Sequence, residues 1–266
     1  MSESFEFKDR YNFDDLKKII TVLRAPGGCP WDREQTHESI KKNFIEETYE
    51  VVEAINKKSP EMLREELGDV LLQIALHCEM ESENGNFDMD DIVSDLVQKL
   101  VIRHPHVFGD VKAENGEEAL ASWDKAKTDT KKQKSQTEAM LSVPRELPAL
   151  MRAQKIQHKA AKVGFDWDNA DGAVEKLYEE INELKTAMSR GDGAEIEEEF
   201  GDVLFSCVNV SRFLKLDSEE ALTGATDKFL NRFKIVEELA KEKGIDMKSA
   251  SLDVLDELWN SAKEIS

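Results

Sequence analysis

The clearest helix in the sequence is the stretch SPEMLREELGDVLLQIALHC, which runs from Ser59 to Cys78. Ser59 suits the position before a helix because its hydroxyl accepts a hydrogen bond from the first turn, and Pro60 suits the first helical position. From Leu63 onward, apolar residues recur every three or four positions, which predicts an amphipathic helix. Gly68 costs helix stability relative to alanine, which indicates that a neighbouring helix approaches closely there. The acidic residues of the stretch are Glu65, Glu66 and Asp69.

Apolar residues keep this helical spacing along almost the whole chain, and no convincing stretch alternates in the manner of a β-strand. The 266 residues include 40% apolar residues but only 13 glycines and 6 prolines, a composition typical of a folded, helix-rich protein. We therefore expect an all-α fold.

The chain is strongly acidic, with 36 basic and 56 acidic residues and a net charge of −20. This charge disfavours binding to nucleic acid phosphates, so we expect no nucleic-acid partner. No apolar run approaches the roughly 20 residues needed to cross a bilayer, so we expect no membrane partner. The first residues, MSESFE, lack the basic and apolar parts of a secretion signal, and the cytoplasm is the expected compartment.

The acidic pattern occurs twice in the chain. Glu65–Asp69 (EELGD) returns as Glu198–Asp202 (EEFGD), and Glu46–Glu50 (EETYE) returns as Glu179–Glu183 (EEINE), both 133 positions later. Further landmarks keep the same order at offsets of 129 to 136 positions, as insertions and deletions in loops would produce. These landmarks are Trp31-Asp32 with Trp167-Asp168, Lys99 and Arg103 with Lys228 and Arg232, and Trp123 and Lys127 with Trp259 and Lys263.

The repeated order predicts two homologous modules, an N-terminal one at residues 1–127 and a C-terminal one at residues 149–266. Residues 128–148 between them are polar, poor in apolar side chains and end with Pro144 and Pro148, which is typical of a linker.

The spacing of the carboxylates in each module would allow them to bind one ligand together. Residues three apart are neighbours on a helix, so Glu180 lies beside Glu183 and Glu199 lies beside Asp202. Two such helices packed antiparallel would bring four acids to one seam. Like charges gathered there need a cation, and an all-oxygen ligand set favours Mg²⁺ over Zn²⁺.

A solvated acidic surface is the main alternative, because the chain is so acidic. Both modules keep 20 positions between their clusters, from Glu46 to Glu66 and from Glu179 to Glu199, a spacing that solvated faces would not need. Simple inheritance after duplication is the competing explanation for the shared spacing. A di-iron centre is disfavoured because it needs two Glu-x-x-His motifs, and the sequence supplies one, ending at His37, which we interpret as a surface or capping residue.

Cationic and aromatic residues recur with the acids. Lys228 and Arg232 are four apart, share a helical face and suit phosphate oxygens, which implies an anionic substrate. Trp259 and Lys263 share the same spacing and would offer a stacking surface for a base and a further phosphate contact, with core packing as the alternative for Trp259. The sequence contains no glycine-rich phosphate-binding loop, which excludes the usual kinase and NTPase architectures.

These motifs resemble the two-module bacterial MazG nucleoside triphosphate pyrophosphohydrolases. The resemblance covers nearly the whole chain and rests on the repeated Glu-Glu-x-x-Glu and Glu-x-x-Asp motifs, on GGCPWD at Gly27–Asp32 and on VGFDWD at Val163–Asp168. It implies tandem all-α helical bundles that are completed by dimerisation. It also implies an enzyme that uses Mg²⁺, with Mn²⁺ as a substitute, to hydrolyse NTPs and dNTPs to the monophosphate and pyrophosphate.

The resemblance also assigns roles by position, with the second module as the principal active site. The metal ligands it implies there are Glu180, Glu183, Glu199 and Asp202. The nucleotide site it implies comprises Lys176, Leu177, Tyr178, Glu179, Glu180, Glu195, Ile196, Glu197, Glu198, Lys228, Arg232, Trp259 and Lys263. The corresponding set in the first module is Glu47, Glu50, Glu66, Asp69, Lys99, Arg103, Trp123 and Lys127.

The expected chemistry is hydrolysis by a water that the metal makes more acidic, with Glu179 or Glu180 as the catalytic group that takes its proton. Lys228 and Arg232 are the expected catalytic cations, which stabilise the charge that builds on the leaving group. Two other functions stay open from the sequence. One is a non-catalytic acidic helical binding protein, and the other is a phosphomonoesterase that releases orthophosphate.

Overall fold

A computed structural model describes residues 5–131 and 135–265 of the protein. Within those ranges the chain forms thirteen α-helices and no strand, which confirms the predicted all-α fold. The chain divides into two compact units, residues 1–131 and residues 132–266. The helices are α1 (Phe13–Arg24), α2 (Pro30–Glu34), α3 (His37–Asn56), α4 (Pro60–Glu83), α5 (Met89–Arg103), α6 (Pro105–Phe108), α7 (Gly116–Lys131), α8 (Gln136–Leu141), α9 (Ala149–Ala161), α10 (Ala170–Arg190), α11 (Gly193–Phe213), α12 (Ser218–Glu242) and α13 (Leu252–Ile265).

The first unit is built on an antiparallel hairpin of α3 and α4, called here the first hairpin. Ser59 caps α4 as predicted, because its hydroxyl accepts a hydrogen bond from the backbone N–H of Met62 at 3.3 Å, and Pro60 occupies the first turn. A three-residue turn joins the two helices and places Lys58 in the left-handed region, at φ 53°. Helix α1 packs against α4. The buried core of this unit contains Ile20, Ile40, Ala75, Leu76, Cys78, Met80 and Met89.

The second unit repeats the design with α10 and α11, called here the second hairpin. Gly191 ends α10 in the left-handed region, at φ 74°, and the side chain of Asp192 caps α11. Ala187 on α10 and Ala54 at the same position of α3 are both 0% exposed, which leaves room for a methyl group and little more. Helix α9 packs against α11 and α12, and α12 packs against α13. A second core lies between α12 and α13 and contains Val236, Ala240, Leu258 and Ala262.

Gly68 and its counterpart Gly201 are exposed on the two hairpins. A Cβ atom added at either position would meet no neighbouring atom within 4 Å among the described residues. The predicted close approach at Gly68 is therefore wrong within one chain, because this face of α4 points away from its packed neighbours.

The predicted linker, residues 128–148, includes the end of α7 and the whole of α8. Residues 132–134 of that segment lie outside the described residues. The predicted module boundaries stay a prediction.

Candidate active site and metal centre

Three carboxylates meet on the second hairpin. One carboxylate oxygen from each of Glu180, Glu199 and Asp202 lies within 4.8 Å of the other two, and we call these residues the second acidic trio. Glu180 comes from α10 and is only 6% exposed, whereas Glu199 and Asp202 come from consecutive turns of α11. The short turn between the helices fixes the register that brings the three together. This arrangement is suited to a hard cation, because every donor is an oxygen atom.

The charges of the second acidic trio repel one another. Burial first, and then the neighbouring carboxylates of Glu180 and Asp202, raise the pKa of Glu199. Glu183 lies beside the trio, and its pKa is raised chiefly by a hydrogen bond with Glu180 and then by burial. Protons or a cation relieve such crowding, so these oxygens favour a bound cation at neutral pH.

Lys176 provides part of the missing positive charge. Its Nζ lies 2.8 Å from a carboxylate oxygen of Glu179 and 2.8 Å from one of Glu180, and these bonds raise the pKa of Lys176 above its ordinary value. The lysine therefore fixes the side chains of two consecutive acids, one in the trio and one at its edge.

The first hairpin holds a matching cluster, the first acidic trio, formed by Glu47, Glu66 and Asp69 within the same 4.8 Å limit. Burial is the largest cause that raises the pKa of Glu47, followed by the charge of Asp69. The pKa of Glu66 is raised by burial and then by the charge of Glu50, which also hydrogen-bonds to both glutamates. Asn43 stands where the second hairpin has Lys176, so the first trio lacks that cation.

The predicted phosphate and base contacts lie on other helices. Lys228 is exposed and Arg232 half-buried on α12, which contacts α11. Trp259 on α13 is half-buried, packs against the second core, and has its ring centre 5.2 Å from that of Phe229. Part of Trp259 thus belongs to the core, and the rest of the residue is accessible to solvent. Within the described residues, neither α12 nor α13 makes substantial contact with α10.

The first unit brings three of its predicted residues together. Arg103 and Lys127 lie over the ring of Trp123, at 5.5 Å and 4.5 Å from the ring centre. Lys99 is exposed one turn before Arg103 on α5. The two units therefore surround their tryptophans differently, with cations in the first and a phenylalanine in the second.

The remaining predicted nucleotide residues lie on α10 and α11, except for Lys263, which lies on α13. Tyr178 is 64% exposed, and Glu195 forms an ion pair with Arg190 at 2.6 Å. Lys263 donates to the side chain of Asn260 at 3.1 Å. The other predicted nucleotide residues on α10 and α11 are Leu177, Ile196, Glu197 and Glu198.

Sequence reasoning missed one polar cluster in the first unit. His37, interpreted from the sequence as a surface or capping residue, has a side chain that is 40% exposed. It also reaches from the start of α3 to α4, where it meets His77 and Glu81, because the packing of the two helices brings residues 40 positions apart into contact. The spacing of His77 and Glu81, one helical turn apart on α4, was the only signal in the sequence.

The MazG nucleotide pyrophosphohydrolase domain model matches the chain twice, at residues 35–108 and 170–237. The chain belongs to the MazG family. Each matched segment contains one hairpin with its acidic trio. The MazG match thus falls on the two places where the structure gathers carboxylates.

Relatives matched over nearly the whole of this chain support the assignment. A Thermotoga maritima protein named nucleoside triphosphate pyrophosphohydrolase/pyrophosphatase MazG is 46% identical over 94% of this chain and 95% of its own length. An Escherichia coli K12 protein named nucleoside triphosphate pyrophosphohydrolase is 46% identical over 94% of this chain and 96% of its own. Bacillus subtilis YabN is also 46% identical, over 96% of this chain and 52% of its own length. Among the described residues of this MazG protein, every helix is too short or too polar to cross a bilayer.

Proposed function

We propose that this MazG protein hydrolyses nucleoside triphosphates and deoxynucleoside triphosphates to the monophosphate and pyrophosphate. The observation that carries the proposal is the second acidic trio, three carboxylates within 4.8 Å of one another on one hairpin. The names of the Thermotoga and Escherichia relatives supply the reaction and the substrate class.

Mg²⁺ is the cation that we propose for this site, and Mn²⁺ is the expected substitute. Glu180, Glu199 and Asp202, with Glu183 beside them, would hold the ion through oxygen atoms, as hard divalent cations require. The raised pKa of Glu199 fits this assignment, because burial and then the neighbouring carboxylates disfavour its charged form, and a bound cation offsets both effects. When bound, Mg²⁺ supplies positive charge to phosphate oxygens and makes water more acidic.

Residues of the chain perform the proton transfer, stabilise the leaving group and contact the base. Glu179 or Glu180 accepts the proton of the attacking water, and Lys176 holds both side chains in place for that step. Lys228 and Arg232 on α12 stabilise the charge that builds on the pyrophosphate leaving group. The solvent-accessible part of Trp259 contacts the base, and Lys263 adds a phosphate contact.

We also propose that two copies of the chain associate. The face of α11 beside Gly201 exposes Phe200, Leu204 and Phe205 at 53%, 44% and 45%. Apolar side chains of this size are costly to leave in water, and the glycine leaves room for a partner helix to approach. Sedimentation should show a dimer for the wild type and a monomer for Phe200→Asp, and a wild-type monomer would contradict the proposal.

Product identification tests the reaction. The purified chain, given GTP or dCTP with Mg²⁺, should release monophosphate and pyrophosphate, and EDTA should stop the release. Release of a nucleoside diphosphate and orthophosphate as the primary products would contradict the proposed reaction. Binding of nucleotide without turnover would indicate a non-catalytic binding protein.

A further inference from the structure

Two histidines and a glutamate cross-link the first hairpin at the end remote from its turn. Nδ1 of His37, in the first turn of α3, lies 2.6 Å from Nδ1 of His77 on α4. Nε2 of His37 lies 2.6 Å from a carboxylate oxygen of Glu81, one turn beyond His77. The two imidazole rings are parallel within 2°, with ring centres 5.0 Å apart, and the edge of Phe44 covers His77.

The hydrogen bonds define which nitrogen of each ring is available. In the neutral tautomer of His37 that donates a hydrogen bond from Nε2 to the Glu81 carboxylate, Nδ1 of that ring keeps its lone pair. That lone pair accepts the hydrogen bond that Nδ1 of His77 donates. A carboxylate that holds the far nitrogen of an imidazole is the usual support for a metal-binding histidine.

The second hairpin carries no such group. At the same offset of 133 positions it has Ala170, Val210 and Leu214 in place of His37, His77 and Glu81. Since the second hairpin forms with three apolar residues at these positions, the polar cluster is not needed to build the fold. Both units therefore contain the same two-helix hairpin, and the first hairpin has the cluster of two histidines and a glutamate in addition.

We propose that His37 and His77 bind a divalent transition-metal ion of the Zn²⁺ class, with Glu81 as the residue that orients His37. Imidazole nitrogen suits Zn²⁺, Cu²⁺ and Ni²⁺, whereas the oxygen-only trios suit Mg²⁺. The ion takes the place of the shared proton between the two Nδ1 atoms, and that proton passes to Nε2 of His77. Water completes the coordination.

The geometry permits this exchange with a local rearrangement. Two Zn–N bonds of about 2.1 Å at a tetrahedral angle hold their nitrogens about 3.4 Å apart, so the two Nδ1 atoms need to separate by less than about 1 Å from the present 2.6 Å. Both rings also need to turn, because their Nδ1 atoms now point at each other. His37 and Glu47 are ten positions apart on α3, which is about 15 Å along the helix axis. The proposed site is therefore distinct from the first acidic trio and independent of the proposed hydrolysis.

Calorimetric titration of the full chain with Zn²⁺ tests the proposal, in excess Mg²⁺ so that the carboxylate trios are already filled. The wild type should bind one Zn²⁺ per chain at this site. The variant His37→Ala/His77→Val, which carries the residues of the second hairpin, should lose that binding. Glu81→Gln should weaken it by about tenfold or more, because the orienting carboxylate is lost.

A matched control uses the other pair of neighbouring histidines, whose ring centres lie 5.6 Å apart. His104→Ala/His106→Ala should bind Zn²⁺ as the wild type does. Circular dichroism and Mg²⁺-dependent hydrolysis should be unchanged in His37→Ala/His77→Val, which shows that the fold has survived. The proposal is overturned if the wild type binds no Zn²⁺ in excess Mg²⁺, or if His37→Ala/His77→Val binds it equally well.

Discussion

Lys176 sets the charge balance at the second acidic trio. It pairs with Glu179 and Glu180, and its charge lowers the pKa of Glu183, which the neighbouring carboxylates raise. In Lys176→Asn, which introduces the residue found at this position of the first hairpin, the pKa of Glu183 should rise further. Protonated carboxyl groups bind Mg²⁺ poorly, so we expect the acidic limb of kcat/KM against pH to move to higher pH.

Lys185→Asn supplies the control for that experiment, because Lys185 is exposed on the same helix. Its pH profile should match that of the wild type. A Lys176→Asn enzyme whose acidic limb stays in place would show that Lys176 does not set the ionisation of the site.

At the scale of the element, each hairpin has a fully buried alanine close to its turn. Ala187 is 0% exposed on α10, so a leucine there would overpack the hairpin. We expect Ala187→Leu to lower the free energy of unfolding by about 1–3 kcal/mol and to reduce hydrolysis, because the added side chain separates the carboxylates of α10 from those of α11. Thermal unfolding and product release measure the two effects.

The neighbouring residue Met188 is 61% exposed and gives the control. Met188→Leu should unfold at the temperature of the wild type. If Ala187→Leu does so as well, the hairpin has more room at this position than its burial indicates.

The hairpins were predictable because local spacing encodes them. Glu199 and Asp202 are three positions apart on one helix. The same motif at Glu66 and Asp69 indicates that the carboxylates of each unit bind a common ligand. The contact between His37 and His77 was not predictable, because it depends on how two helices pack and not on spacing within either. The sequence does not decide between core packing and a ligand surface for Trp259, which the structure places half-buried against the second core.

At the scale of the whole molecule, the two units contain similar acidic trios that differ in the residues around them. Only the second trio has a lysine at the position of Lys176, and we predict that it performs most of the turnover. Glu180→Ala should lower kcat by more than about 100-fold, since a metal ligand matters at least as much as the residues that orient one. Glu47→Ala, its counterpart in the first unit, should leave much of the activity. Equal losses in the two variants would contradict this ranking.

Mg²⁺ should stabilise the folded protein in a pH-dependent way. The pKa values of Glu47, Glu66, Glu183 and Glu199 are raised in the folded state, so ionising these groups costs stability as the pH rises through the ordinary and then the raised values. Bound Mg²⁺ compensates the negative charge of the ionised carboxylates. We therefore expect Mg²⁺ to raise the melting temperature of the protein at neutral pH.

The same stabilisation should fade as the pH falls through the raised values and below the ordinary glutamate value of 4.5, where the carboxyl groups become protonated. Melting curves with and without Mg²⁺ across this range measure the effect. A melting temperature that Mg²⁺ leaves unchanged at neutral pH would contradict the proposed ion sites.

Each acidic trio is contained in a short, continuous piece of chain. Glu180 and Asp202 are separated by 22 positions that fold as two helices and a tight turn, and Glu47 and Asp69 by the same number. Closing so short a loop costs little chain entropy, and contacts between near neighbours in sequence form early in folding. During synthesis the first ion site is therefore complete in sequence once Glu83 at the end of α4 has left the ribosome, long before the second hairpin has been made.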